Sequence, residues 1–248
     1  MSPDLDDLVG RQRLSYGSDP RQYVDLTGDP ALPGCVLLVH GGFWRAEKDS
    51  ESLWPAVTAL AKMAGCVGSV EYRTADAGGR WPACRDDVVA AVRAVWAAGA
   101  DPRSTVLVGH SAGGHLALAA AGQLAEPVAV VALAAVSDLV AASRDQLGDD
   151  AVEVLLGPAP DEDALLAASP WHQPPPAGRI ELVHGDADQA VPVAYSRRLA
   201  EHWAATADVR LTEVPDARHM HLVNPDRPAW PVVAARIAAA VAPAEPAR

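Results

Sequence analysis

The 248-residue chain has one phenylalanine, three cysteines and only 5% aromatic residues. With so few aromatics and a hydrophobic content of 50%, its core must be aliphatic, and large enough for one sizeable domain. Positive charge is also scarce. The 20 Lys and Arg stand against 32 Asp and Glu, giving a formal charge of −12. Such a surface repels a phosphate backbone, so no nucleic-acid partner is expected. Cys35, Cys66 and Cys84 are odd in number, far apart and without a CxxC pair, which argues against a disulfide framework and predicts buried reduced thiols. There is no HExxH, and the closest histidine pair, His219 and His221, is too sparse for a metal site. Neither a metal nor another cofactor is expected. Long apolar runs are missing too. The most apolar stretch, Pro127 to Val136, is about half of what a membrane span requires. Met1 to Gly10 is acidic and lacks the apolar segment of a signal peptide; together with the thiols this predicts a cytoplasmic protein with no membrane partner.

What is present is an alternation of short apolar runs with helical patterns. Strands are predicted at Cys35–His40, Cys66–Tyr72, Thr105–Gly109, Val128–Val136, Ile180–His184 and Val209–Val214. Helices are predicted at Ser52–Ala64, Pro82–Ala98, Ala112–Leu124 and Trp230–Ala240. This rhythm implies a single α/β domain over residues 1–248, with a mostly parallel central sheet and helices on both faces. In such sheets sites form beyond the carboxyl ends of the strands. Residues 141–176 break the rhythm with two short helical patterns, Asp149–Leu156 and Asp161–Ala168, and end in Pro174-Pro175-Pro176. They read as an insertion, either a small lid or a passive connector. Pro20, Pro30 and Pro243 mark ordinary turns and ends.

Three motifs follow predicted strands. Gly109-His110-Ser111-Ala112-Gly113-Gly114 lies between a strand and a helix, the setting a G-x-S-x-G nucleophile turn requires. A turn this sharp projects the Ser111 hydroxyl, and the flanking glycines let neighbouring backbone pass. His40-Gly41-Gly42-Phe43-Trp44 supplies exposed N–H groups, with Gly42, Phe43 and Ala112 as the candidate oxyanion donors. Phe43 and Trp44 are candidates to line an acyl pocket, Trp44 being the candidate substrate-binding residue. A serine hydroxyl needs a base, and the base an orienting acid. After Ile180–His184 the acid candidates are Asp188 and Asp186, with Asp138 weaker; after Val209–Val214 the base candidates are His219 and His221.

HGGFW at 40–44, EYR at 71–73, WPACRDDV at 81–88, GHSAGGHLA at 109–117, HGDADQAVP at 184–192 and RHMHLVNP at 218–225 together resemble the α/β-hydrolase superfamily, nearest its small carboxylesterase and kynurenine-formamidase-like branch. The resemblance spans roughly residues 16 to 240. It implies Asp188 as the acid, from D-x-x-V-P, and His219 as the base, with Leu222, Val223 and Pro225 in register. The function so implied is serine hydrolysis of a small-molecule ester or amide through an acyl-enzyme. The alternatives are an arylformamidase acting on N-formylkynurenine, a small peptidase, an acyltransferase, or a non-catalytic binding protein on the same scaffold.

Overall fold

The computed structural model describes residues 11–241; the expectations for Met1–Gly10 and Pro243 lie outside the described residues. Eight strands form one sheet in the order β1-β2-β4-β3-β5-β6-β7-β8. They are β1 (Gln12–Ser15), β2 (Tyr23–Gly28), β3 (Cys35–Val39), β4 (Cys66–Glu71), β5 (Thr105–His110), β6 (Ala129–Leu133), β7 (Ile180–Gly185) and β8 (Val209–Val214). From β4 across to β8 every pairing is parallel, while β2 runs antiparallel to both β1 and β4. The register sets Val39 beside Gly109, His110 beside Leu133, and Gly185 beside Val214, so the carboxyl ends of five strands share one edge.

The parallel strands are apolar on both faces because helices cover both. Leu37, Val39 and Leu107 face one aliphatic core, and Val36, Leu38, Val106 and Val108 face the other. The first is closed by α2 (Ala83–Ala97), α3 (Ala112–Ala121) and α7 (Ala194–Trp203), the second by α1 (Trp54–Leu60) and α8 (Trp230–Val241). Each fully buried Val or Leu contributes about 1.5–3 kcal/mol. Cys35, Cys66 and Cys84 are free thiols within these cores.

Several elements depart from the expectations. Ser52–Ala64 is a 3₁₀ turn at Ser50–Leu53 followed by the short α1, because Pro55 suits a helix start and not a helix interior. The edge strands β1 and β2 were not predicted. They are short and partly polar, and Asp25, buried in β2, is bound by Arg13 through two 2.8 Å hydrogen bonds and by Arg11. Helix α7 was also missed: its buried Tyr195, Leu199 and Trp203 recur every four residues, but charged residues fill the spaces between. The 141–176 segment begins slightly earlier than expected and holds α4 (Leu139–Arg144), α5 (Ala151–Leu156) and α6 (Glu162–Ala168). Among the described residues no helix is long and apolar enough to cross a membrane.

Candidate active site

Strand β5 ends at His110 and α3 begins at Ala112, leaving Ser111 alone in the turn with φ 58° and ψ −119°. A non-glycine residue at such angles costs about 1–3 kcal/mol and persists only where its surroundings dictate it. Here the Ser111 N–H donates to the Leu133 carbonyl at 2.8 Å, and the His115 N–H donates to the Ser111 carbonyl at 3.1 Å. The glycines around it are steric necessities. A Cβ at Gly113 would lie 2.1 Å from the Val39 carbonyl oxygen, and one at Gly109 would lie 2.2 Å from that of Gly113.

The loop after β3 closes on this turn. A Cβ at Gly41 would sit 2.8 Å from the His110 oxygen and 3.0 Å from the Ser111 Cβ. Gly42, Phe43 and Trp44 all have positive φ, so the chain turns sharply here. Among the described residues, the N–H groups of Gly42, Phe43 and Ala112 have no protein acceptor. Phe43 lines the cavity at Ser111, with its ring against Gly148. Trp44 does not, and its expected place in the substrate pocket is corrected. The indole is 1% exposed and donates Nε1–H to His115 Nδ1 at 3.2 Å, which holds it in the core. His115 in turn donates Nε2–H to the Ala168 carbonyl at 2.8 Å, tying the loop to the end of α6.

Of the acid candidates, Asp188 alone meets a candidate base. His219 Nδ1 donates to Asp188 Oδ2 at 2.7 Å, and Asp188 Oδ1 accepts the Ala190 and Val191 N–H groups at 2.8 and 2.9 Å. Asp186 accepts the Asp216 N–H and braces the β8 loop, while Asp138 caps α4 through the Ala141 N–H. His221 is turned away: its Nδ1 accepts the Arg218 N–H at 3.2 Å. Sequence reasoning took His184 for a turn support and missed its approach to Asp188. Its Nε2 donates to the Val191 carbonyl at 2.9 Å and lies 3.5 Å from Asp188 Oδ2, and its Nδ1 pairs with Ser196 Oγ on α7 at 2.7 Å. The i,i+4 spacing of His184 and Asp188 was the available signal. Burial works to raise the Asp188 pKa, but hydrogen bonds from His184 and His219 outweigh it and hold the carboxyl well below its ordinary range.

Buried histidines brace both loops. Burial pushes the His110 pKa down to about 3, and its ring donates Nε2–H to the His219 carbonyl at 3.1 Å. Beneath the β3 loop, burial pushes His40 down to about 4, and its Nδ1 donates to the Gly41 carbonyl at 2.9 Å. Its Nε2 faces Glu71 Oε2 at 3.6 Å, and burial raises Glu71 to about 7. Despite the close approach this is a neutral histidine beside a carboxyl easily protonated, not an ion pair.

Ser111, His219, Gly41, Gly42 and Phe43 line one cavity of about 240 Å³. Ser111 Oγ and His219 form no hydrogen bond to each other in this structure; contacts of this kind commonly close only with substrate in place. No residue of 141–176 lines the cavity. That segment packs behind the β3 loop, through Gly148 against Phe43 and an Arg45–Asp150 ion pair. Among the described residues no cluster of three or more His, Cys, Asp or Glu is arranged to hold a metal.

Residues 36–167 match the family model described as alpha/beta hydrolase fold, and the chain belongs to that family. No curated protein matches the chain. Solved structures with the same fold include Thermogutta terrifontis esterase 2 with bound propionate, at 21% identity and TM-score 0.72 over 92% of each chain. A truncated carbohydrate esterase from gut microbiota aligns over 97% of this chain and 99% of its own, at 20% identity and TM-score 0.74. A Silicibacter sp. protein provisionally assigned as a thioesterase is 27% identical, with TM-score 0.70 over 92% of this chain and 87% of its own.

Proposed function

We propose that the protein hydrolyses a carboxylic ester, or a related amide, of a small substrate through an acyl-enzyme on Ser111. The observation that carries this reading is the 2.7 Å Asp188–His219 hydrogen bond, whose histidine shares a cavity with Ser111. With Nδ1–H engaged by Asp188, the His219 Nε2 is left to take the Ser111 proton as Oγ attacks the acyl carbon. The carbonyl oxygen becomes an oxyanion beside the unpaired N–H groups of Gly42, Phe43 and Ala112. The tetrahedral intermediate collapses and breaks the bond to the leaving alcohol, thiol or amine, which departs with the proton from His219. Water then attacks the acyl-Ser111 ester, giving its proton to His219. Collapse restores Ser111 Oγ–H and frees the carboxylic acid. The esterases that share the fold favour an ester over a peptide. Ser111→Ala should cut p-nitrophenyl acetate turnover at least about 10⁴-fold; a purified variant with full activity would overturn the assignment.

A further inference from the structure

A second cleft, of about 360 Å³, adjoins the first at His219 and Met220 and includes none of the oxyanion loop. The two hollows share only those two residues. The first holds Ser111 and the loop donors; the second is lined by Gln189, Arg218, His221, Asn224 and Arg227. In a protein of formal charge −12, no Asp or Glu lines this second cleft, and neither Arg218 nor Arg227 forms an ion pair among the described residues.

Most polar groups there present donors, Gln189 offering an acceptor as well. Both guanidinium groups can only donate. His221 accepts the Arg218 N–H on Nδ1, so its ring proton sits on Nε2. Asn224 Oδ1 accepts the Asp226 N–H at 2.9 Å, which leaves the Asn224 side-chain N–H₂ to donate. A largely apolar hollow edged by these donors and two arginines fits an organic anion with an apolar body and an acceptor-rich charged end.

Position gives the anion its role. A base that passes its proton to the leaving group must have that group within reach, so the leaving part of the substrate lies on the His219 side. The oxyanion loop borders only the other hollow. We infer that the second cleft is a leaving-group subsite for an alcohol, thiol or amine that carries a carboxylate or phosphate, held by Arg218 and Arg227. This rests on the hydrolase reading above and adds the substrate class.

The test compares three acetyl esters with one acyl group: phenyl acetate, 3-acetoxybenzoate and 3-acetoxyphenyl phosphate. The expected result is a kcat/KM for at least one anionic ester roughly three- to tenfold above phenyl acetate, as two exposed charge contacts can supply. That ratio should shrink as salt is raised. It should fall to about one in the Arg218→Gln, Arg227→Gln double variant and return in part with Arg227→Lys. The two anionic arms separate carboxylate from phosphate. Equal turnover of all three esters, or a ratio unchanged in the double variant, would overturn the subsite while leaving the hydrolase reading standing. No Ser111-dependent turnover of any ester would overturn that reading and the subsite with it.

Discussion

The two halves of the candidate site are built by different means. The Ser111 half is held by backbone pressed against backbone: β3, β5 and the start of α3 approach so closely that Gly109 and Gly113 have no room for a Cβ. The Asp188–His219 half is held by side chains. One carboxylate receives two N–H groups and a histidine, and buried His110 and His184 brace the loops from behind. A sterically built site is written in glycine spacing, whereas a polar network leaves only scattered His, Asp and Ser in the sequence. The first half is therefore specific at the level of a motif, and the second only at the level of a geometry.

The largest expected effect lies in the second half and separates its two neighbouring histidines. His219→Ala should lower kcat/KM on p-nitrophenyl acetate by about 10³–10⁴-fold or more, because the nucleophile loses its base. His221→Ala, with no bond to Asp188, should stay within about tenfold. Equal losses would break the distinction between them.

Next is a test of the steric half. Gly113→Ala puts a methyl group 2.1 Å from a backbone oxygen, a clash no rotamer relieves, and should cost about 4 kcal/mol or more in urea unfolding. Gly122→Ala is the contrast: φ is −68° and nothing lies nearer than 3.6 Å, so the change should be neutral or stabilising by up to about 1 kcal/mol. If Gly113→Ala were as mild as Gly122→Ala, the close-packed account of the turn would fail.

A smaller effect sharpens the comparison through pH. Glu71 is buried beneath the loop after β3 with its pKa raised from 4.5 to about 7. A raised carboxyl contributes stability that is fully present below about pH 4.5 and is lost as pH rises through 7, on the order of 3 kcal/mol. Glu71→Gln should flatten this fall in unfolding free energy between pH 5 and 8; an unchanged slope would assign it to other groups. His40, His110 and His115 act in the opposite sense. Their lowered values, about 4, 3 and 4, give stability present above pH 6.5 and lost as pH falls, so acid unfolding should take up protons at these sites.

Much of the fold was legible because a parallel sheet buried on both faces writes each strand as a continuous apolar run, as CVLLV and TVLVGH show. The edge strands β1 and β2 were not, since β1 offers only the apolar Leu14 and β2 only Val24 and Leu26 around the charged Asp25, too short an alternation to mark a strand. Trp44 shows the limit most clearly. Beside Phe43 in the sequence, it reads as pocket lining, but the twisted loop, with positive φ at 42, 43 and 44, sets Phe43 in the cavity and Trp44 in the core. Periodicity carries no record of such a twist. The role of His184 behind Asp188 was hidden for a related reason, since its partner Ser196 comes from the unpredicted α7.

The central claim is that Ser111 is the nucleophile. The most direct test is intact-mass spectrometry after incubation with a fluorophosphonate, alongside peptide mapping and the Ser111→Ala variant. The account predicts one adduct per chain, located on Ser111 and absent from the variant. No adduct on the native protein, or an adduct that persists in Ser111→Ala, would contradict it.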